Sequence, residues 1–141
     1  MTDPAPVAGD AVADEARIVA LVRRFYELAL ADELLGPMFR ATIDDFEEHF
    51  RIVQDFWSHA LLGTDRYKRG TPYSHHTTLV VEEAHFARWM AAFTQAVGET
   101  LIFPLDALAL KRAAHMTESF KMGMLPLPTP RAAAPAHATL Q

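Results

Sequence analysis

Four polar side chains, Tyr26, His49, His76 and Trp89, sit beside large hydrophobes in segments that are otherwise apolar and helical. An imidazole facing a hydroxyl, a second imidazole and an indole is the set a small protein needs to hold a haem and a bound gas. One neutral histidine binds the iron and leaves the opposite face open. His76 is the candidate for that ligand. It follows the loop Gly70-Thr71-Pro72-Tyr73-Ser74-His75 and precedes Thr77-Thr78-Leu79. From a loop end its second ring nitrogen can donate to a backbone carbonyl, which fixes the ring's orientation and basicity.

Each of these residues also has a plainer reading. His76 is equally a structural or surface histidine, and His75 is a rival ligand. Tyr26, next to Phe25, is otherwise a core tyrosine with its hydroxyl paired to backbone. His49 is otherwise a boundary histidine among Glu47, Glu48 and Arg51. Trp89 is otherwise a core tryptophan. Phe39, Phe56 and Trp57 are packing residues that would also wall a haem. Arg66, Lys68 and Arg69 form a small basic cluster, normally solvated, of which one could meet a haem propionate.

Composition narrows the field. The chain has 141 residues, half of them hydrophobic, which is one domain's worth with room for a core and one cofactor. A net charge of −5 argues against a nucleic-acid surface. The absence of cysteine excludes disulfides, thiolate metal sites and cysteine nucleophiles. No HExxH, glycine-rich phosphate loop or nucleophile elbow occurs. The acidic, Ala/Pro-rich N-terminus lacks the features of a signal peptide, and no stretch approaches the ~20 apolar residues of a membrane span. The expectation is a soluble, cytoplasmic protein.

The elements that position the candidates are helical, and the fold class is all-α. Residues 1–14 read as a disordered tail, 15–125 as the folded domain and 126–141 as a Pro/Ala-rich disordered tail. Ile18, Leu21, Val22, Phe25 and Ala29 mark one amphipathic helix. Gly36-Pro37 reads as the end of the helical run containing it, with Phe39 in the connection. A second helix starts near a cap at Asp44 and carries His49, Val53, Phe56 and Trp57. A long loop covers 63–74. Thr77 to Glu82 is the best strand candidate. A third helix carries Phe86, Trp89, Met90, Phe93 and Val97. A fourth starts at Pro104, with Leu105, Leu108, Ala109, Arg112, Met116 and Phe120 on one face.

Taken together, these residues resemble the truncated haemoglobins, and among them the group III (P-type) branch. The likeness runs through Phe25-Tyr26, Asp32-Glu33-Leu34-Leu35-Gly36-Pro37-Met38-Phe39 and Phe46-Glu47-Glu48-His49. It continues through Asp55-Phe56-Trp57, Leu61-Leu62-Gly63, Tyr67, Pro72-Tyr73-Ser74-His75-His76-Thr77-Thr78-Leu79 and His85-Phe86-Ala87-Arg88-Trp89. It spans residues 17 to 125, and the glycine-pair signatures of the other truncated groups are missing. The resemblance implies a shortened globin fold, two antiparallel helix pairs sandwiching one haem b. It implies His76 as the proximal iron ligand, Tyr26 and His49 as distal residues and Trp89 as the pocket tryptophan. Phe39, Val53, Phe56, Trp57, Tyr67 and Arg69 complete the haem surroundings.

The resulting expectation is a haem protein that binds O2, NO, CO or peroxide. Three distal donors favour slow O2 release, which suits gas or redox chemistry better than transport. Nitric oxide dioxygenase or peroxidase-type turnover, with an unidentified reductase, fits that expectation. The alternatives are a non-catalytic oxygen-binding or sensing globin and a haem-free helical pocket protein. A monomer or weak dimer is expected.

Overall fold

The protein, represented by a computed structural model, is described here over residues 8–70 and 81–124. Five helices account for most of these residues: α1 (Ala8–Ala31), α2 (Leu35–Thr42), α3 (Phe46–Leu62), α4 (Glu83–Thr100) and α5 (Leu105–Met124). The chain is all-α, and no strand occurs among the described residues. The strand candidate at 77–82 lies outside them except for Val81 and Glu82, which are non-helical.

α1 is the organising element. Ile18, Leu21, Val22, Phe25, Tyr26 and Ala29 are all buried on one face, as their three- and four-residue spacing requires. That face packs on α4, α2 and α3, while α5 packs on α4 and α3. α1 packs most extensively on α4, and one core cluster joins the helices. α1 begins at Ala8, so 8–14, assigned to the tail by composition, is helical. Pro4 and Pro6 lie before it, whereas Ala8, Ala11 and Ala13 favour a helix and Asp10 sits in its first turn.

The Gly36-Pro37 pair opens a helix rather than ending one. α2 starts at Leu35, and Pro37 occupies its first turn, where backbone amides need no intrahelical partner. Asp32 Oδ1 takes the amides of Leu34 (2.8 Å) and Leu35 (2.9 Å), which turns the chain out of α1. Phe39 is thus helical and buried. Gly36 is where α2 meets the end of α1. A Cβ there would lie 2.5 Å from the Leu30 carbonyl oxygen and 2.8 Å from Arg40 Nη2. Because the first obstacle is backbone, Gly36→Ala is expected to lower stability by about 1–3 kcal/mol, measured as a fall in the urea midpoint at constant slope.

α3 is capped by Asp45, one residue later than the sequence pattern suggests, with its carboxylate accepting the Glu48 amide at 3.1 Å. It ends at Gly63, whose φ of 76° is the left-handed stop that glycine adopts without strain. In α5 the inward face is Leu105, Ala109, Ala113 and Thr117, and Leu108 is exposed. The small side chains allow α5 to approach closely, which rotates the larger Leu108 outward.

Candidate functional site

All five helices contribute to one cavity of about 490 Å³. That size is within the roughly 300–1,000 Å³ of small-molecule and cofactor sites. Its walls include Tyr26, Phe39, His49, Val53, Phe56, Trp57, Tyr67, Arg69 and Trp89. Nine of the residues singled out from the sequence therefore meet around a single space, although they come from α1, α2, α3, α4 and the segment after α3. His76, its rival His75 and the surrounding Pro72–Leu79 motif lie outside the described residues.

The polar centre of the cavity is a pair. Tyr26 Oη and His49 Nε2 share a hydrogen bond of 2.7 Å, with the rings edge-to-face at 5.3 Å. Tyr26 is there because it follows Phe25 on the buried side of α1. His49 is there because the Asp45 cap fixes α3 so that position 49 faces α1. Burial pushes the Tyr26 hydroxyl well above the ordinary tyrosine range, so the phenol stays protonated and keeps a hydrogen to donate. Phe25, Phe39 and Phe50 stand within 5.4 Å of the Tyr26 ring and hold it without offering a competing acceptor.

The α4 side is an aromatic wall. Trp89 stacks on Phe93 with centroids 5.1 Å apart and planes 8° apart. Phe93 stacks in turn on Trp57 at 4.9 Å. Among the described residues, no buried side-chain nitrogen or oxygen lacks a partner. Phe56 continues the wall, edge-on to both Trp57 (5.2 Å) and Tyr67 (5.3 Å). The packing role expected for Phe56 and Trp57 and a wall role are thus compatible.

The rim is charged. Arg69 lines it on one side; Asp44, Asp45 and Glu48 line it at the start of α3. Of the basic cluster, Arg66 is engaged elsewhere, with Glu15 and Asp55. Several lining residues carry no signal in the sequence reading as site residues: Met38 and Ile43 around α2, Ile52 on α3, and Thr117 and Met124 on α5. Thr117 is buried, and its hydroxyl donates to the Ala113 carbonyl at 2.8 Å. His85 also reaches the cavity. Its Nδ1 accepts the Glu82 amide at 2.9 Å and closes a reciprocal cap at the start of α4. With Nδ1 an acceptor, the neutral ring carries its proton on Nε2.

Comparison with known proteins agrees with this geometry. The chain is 28% identical over 109 residues to the group 3 truncated hemoglobin ctb of Campylobacter jejuni, covering 74% of this chain and 85% of that one. The crystal structure of a group III truncated hemoglobin from Campylobacter jejuni superposes with a TM-score of 0.72 at 25% identity, covering 88% and 95% of the two chains. A triple mutant of ASV-TfTrHb has the same fold, with a TM-score of 0.68 at 22% identity, covering 94% and 100%. The group III resemblance and the shortened globin fold expected from the sequence are borne out. Residues 8–125 match the bacterial-like globin family, and the chain belongs to it.

Proposed function

We propose that the cavity holds one haem b and that the protein binds diatomic gases there, with the Tyr26–His49 pair as the distal donors. The observation that carries this is a hydroxyl and an imidazole 2.7 Å apart, both lining a large, mostly apolar space. The residues fit the group. Phe39, Val53, Phe56 and Trp89 offer flat apolar walls, and Arg69 at the rim is placed to pair with a propionate. His76 is the proposed axial ligand, on the family resemblance. Bound haem supplies an iron that takes a diatomic ligand on its open face.

The chain's own residues then set how long that ligand stays. The Tyr26 phenol is neutral and positioned, so it can turn its hydrogen from His49 Nε2 to an electron-rich ligand atom without reorganising the cavity. His49 can take up the phenol oxygen as a donor in its Nε2-protonated form, so the pair remains bonded while ligand is held. Trp89, in the cavity wall, adds an indole N–H donor. The aromatic walls exclude water and strengthen each of these bonds. Donors of this kind slow O2 release and polarise the ligand, which favours gas or redox chemistry such as NO oxidation or peroxide reduction over transport. Such turnover requires a reductase. No helix among the described residues is long and apolar enough to cross a membrane, and a cytoplasmic monomer or weak dimer fits this role.

The test is the absorption spectrum of the purified protein in the ferric and dithionite-reduced states. A Soret band that shifts on adding carbon monoxide to the reduced protein is expected. Protein that stays colourless when haem is supplied overturns the proposal and leaves a helical pocket for some other apolar ligand.

A further inference from the structure

We infer that a polar cluster outside the cavity, centred on Arg66, presets the cavity wall and thereby governs how long the cofactor is retained. The positioning residues are Glu15 on α1, Asp55 and Ser58 on α3, and Thr64 and Arg66 in the segment after α3. Arg66 Nε donates to Asp55 Oδ1 at 3.0 Å, and its Nη2 donates at 3.0 Å to Ser58 Oγ and to both carboxylate oxygens of Glu15. The Ser58 hydroxyl is fully buried, donates to Glu15 at 2.5 Å and lies 2.8 Å from Thr64 Oγ1. His59 Nδ1 donates to the Thr64 carbonyl at 2.7 Å, directly after the left-handed turn at Gly63.

The segment leaving α3 is therefore tied to two helices by bonds that all precede residue 67. The next residue, Tyr67, is packed edge-on against Phe56 and forms part of the cavity wall, and Arg69 stands at its rim. Tyr67 and Arg69 belong to no helix, so helix geometry does not orient them. A buried serine with a carboxylate, a guanidinium and a threonine hydroxyl around it has one satisfied arrangement, since losing a partner strands a buried polar group. That arrangement fixes the direction in which the chain reaches Tyr67.

The retention half of this inference rests on the haem reading above; the positioning half does not. The experiment labels the protein with 3-fluorotyrosine, assigns the Tyr67 fluorine resonance with Tyr67→Phe, and records it with and without haem. In the same variants it measures haem loss to apomyoglobin. Arg66→Ala and Glu15→Ala are expected to move the Tyr67 resonance toward its free-residue position and to speed haem loss about 3- to 10-fold, the scale set by a partly exposed ion-pair network. Glu15→Gln keeps one oxygen to accept from Ser58 but loses the charge and the second acceptor that Arg66 uses, and is expected to fall between wild type and Glu15→Ala in both. In a Tyr67→Ala, Arg69→Ala background, Arg66→Ala is expected to change haem loss less than about twofold, because the effect runs through those residues. A Tyr67 resonance unmoved in both Arg66→Ala and Glu15→Ala overturns the inference. Full additivity in the background variant overturns its retention half. If the wild type takes up no haem, the proposed function fails while the fluorine resonance still decides the positioning.

Discussion

His76→Ala is expected to abolish or strongly alter the haem spectrum, the largest single effect anticipated for this chain. Axial coordination is the one covalent-strength contact proposed between protein and cofactor, and the remaining contacts are dispersion, stacking and rim charge. The variant should therefore bind haem weakly, with a broadened Soret band and a changed carbon monoxide complex. Added imidazole should restore part of the native spectrum by filling the position the side chain left. His75→Ala is the paired control and is expected to be near wild type. An unchanged His76→Ala spectrum alongside a collapsed His75→Ala spectrum would move the ligand by one residue.

Tyr26→Phe is expected to raise the O2 dissociation rate about 10- to 100-fold, corresponding to loss of one charge-assisted hydrogen bond of about 1.5–3 kcal/mol. Stopped-flow replacement of O2 by carbon monoxide measures it. Carbon monoxide carries little negative charge when bound, so its own dissociation should change much less, and that contrast separates a lost donor from a general loosening of the cavity. The ring's packing is unaltered by the substitution: Phe25, Phe39 and Phe50 still enclose it. The variant also removes the 2.7 Å bond between Tyr26 and His49, so a small fall in stability should accompany the kinetic effect. An O2 dissociation rate equal to wild type would refute the distal account of Tyr26.

The sequence made α1, α3 and α4 legible because their large apolar residues recur at helical spacing, and burial follows that spacing closely on α1. α2 was hidden by its own start signal, since a glycine–proline pair marks the beginning of one helix as readily as the end of another. On α5 the largest residues misled. Leu108 looks like core, yet Ala109 and Ala113 are buried in its place because small side chains let two helices approach. For the site, Tyr26, His49 and Trp89 were each ambiguous alone, and only their common cavity separates a functional reading from a core one. The Arg66 cluster had no signature at all. The partners of Arg66 lie 8, 11 and 51 positions away, at spacings no repeat describes.

The stack of Trp57, Phe93 and Trp89 has an optical consequence. The chain contains two tryptophans, and both stand in the cavity wall on either side of one phenylalanine. All of the protein's indole emission therefore originates within contact distance of whatever fills that space. A strongly absorbing occupant would darken both emitters together by energy transfer, and a colourless one would shift their emission wavelength without quenching it. The intrinsic fluorescence of this chain is thus a built-in titration of the cavity, with no bystander tryptophan to set a background.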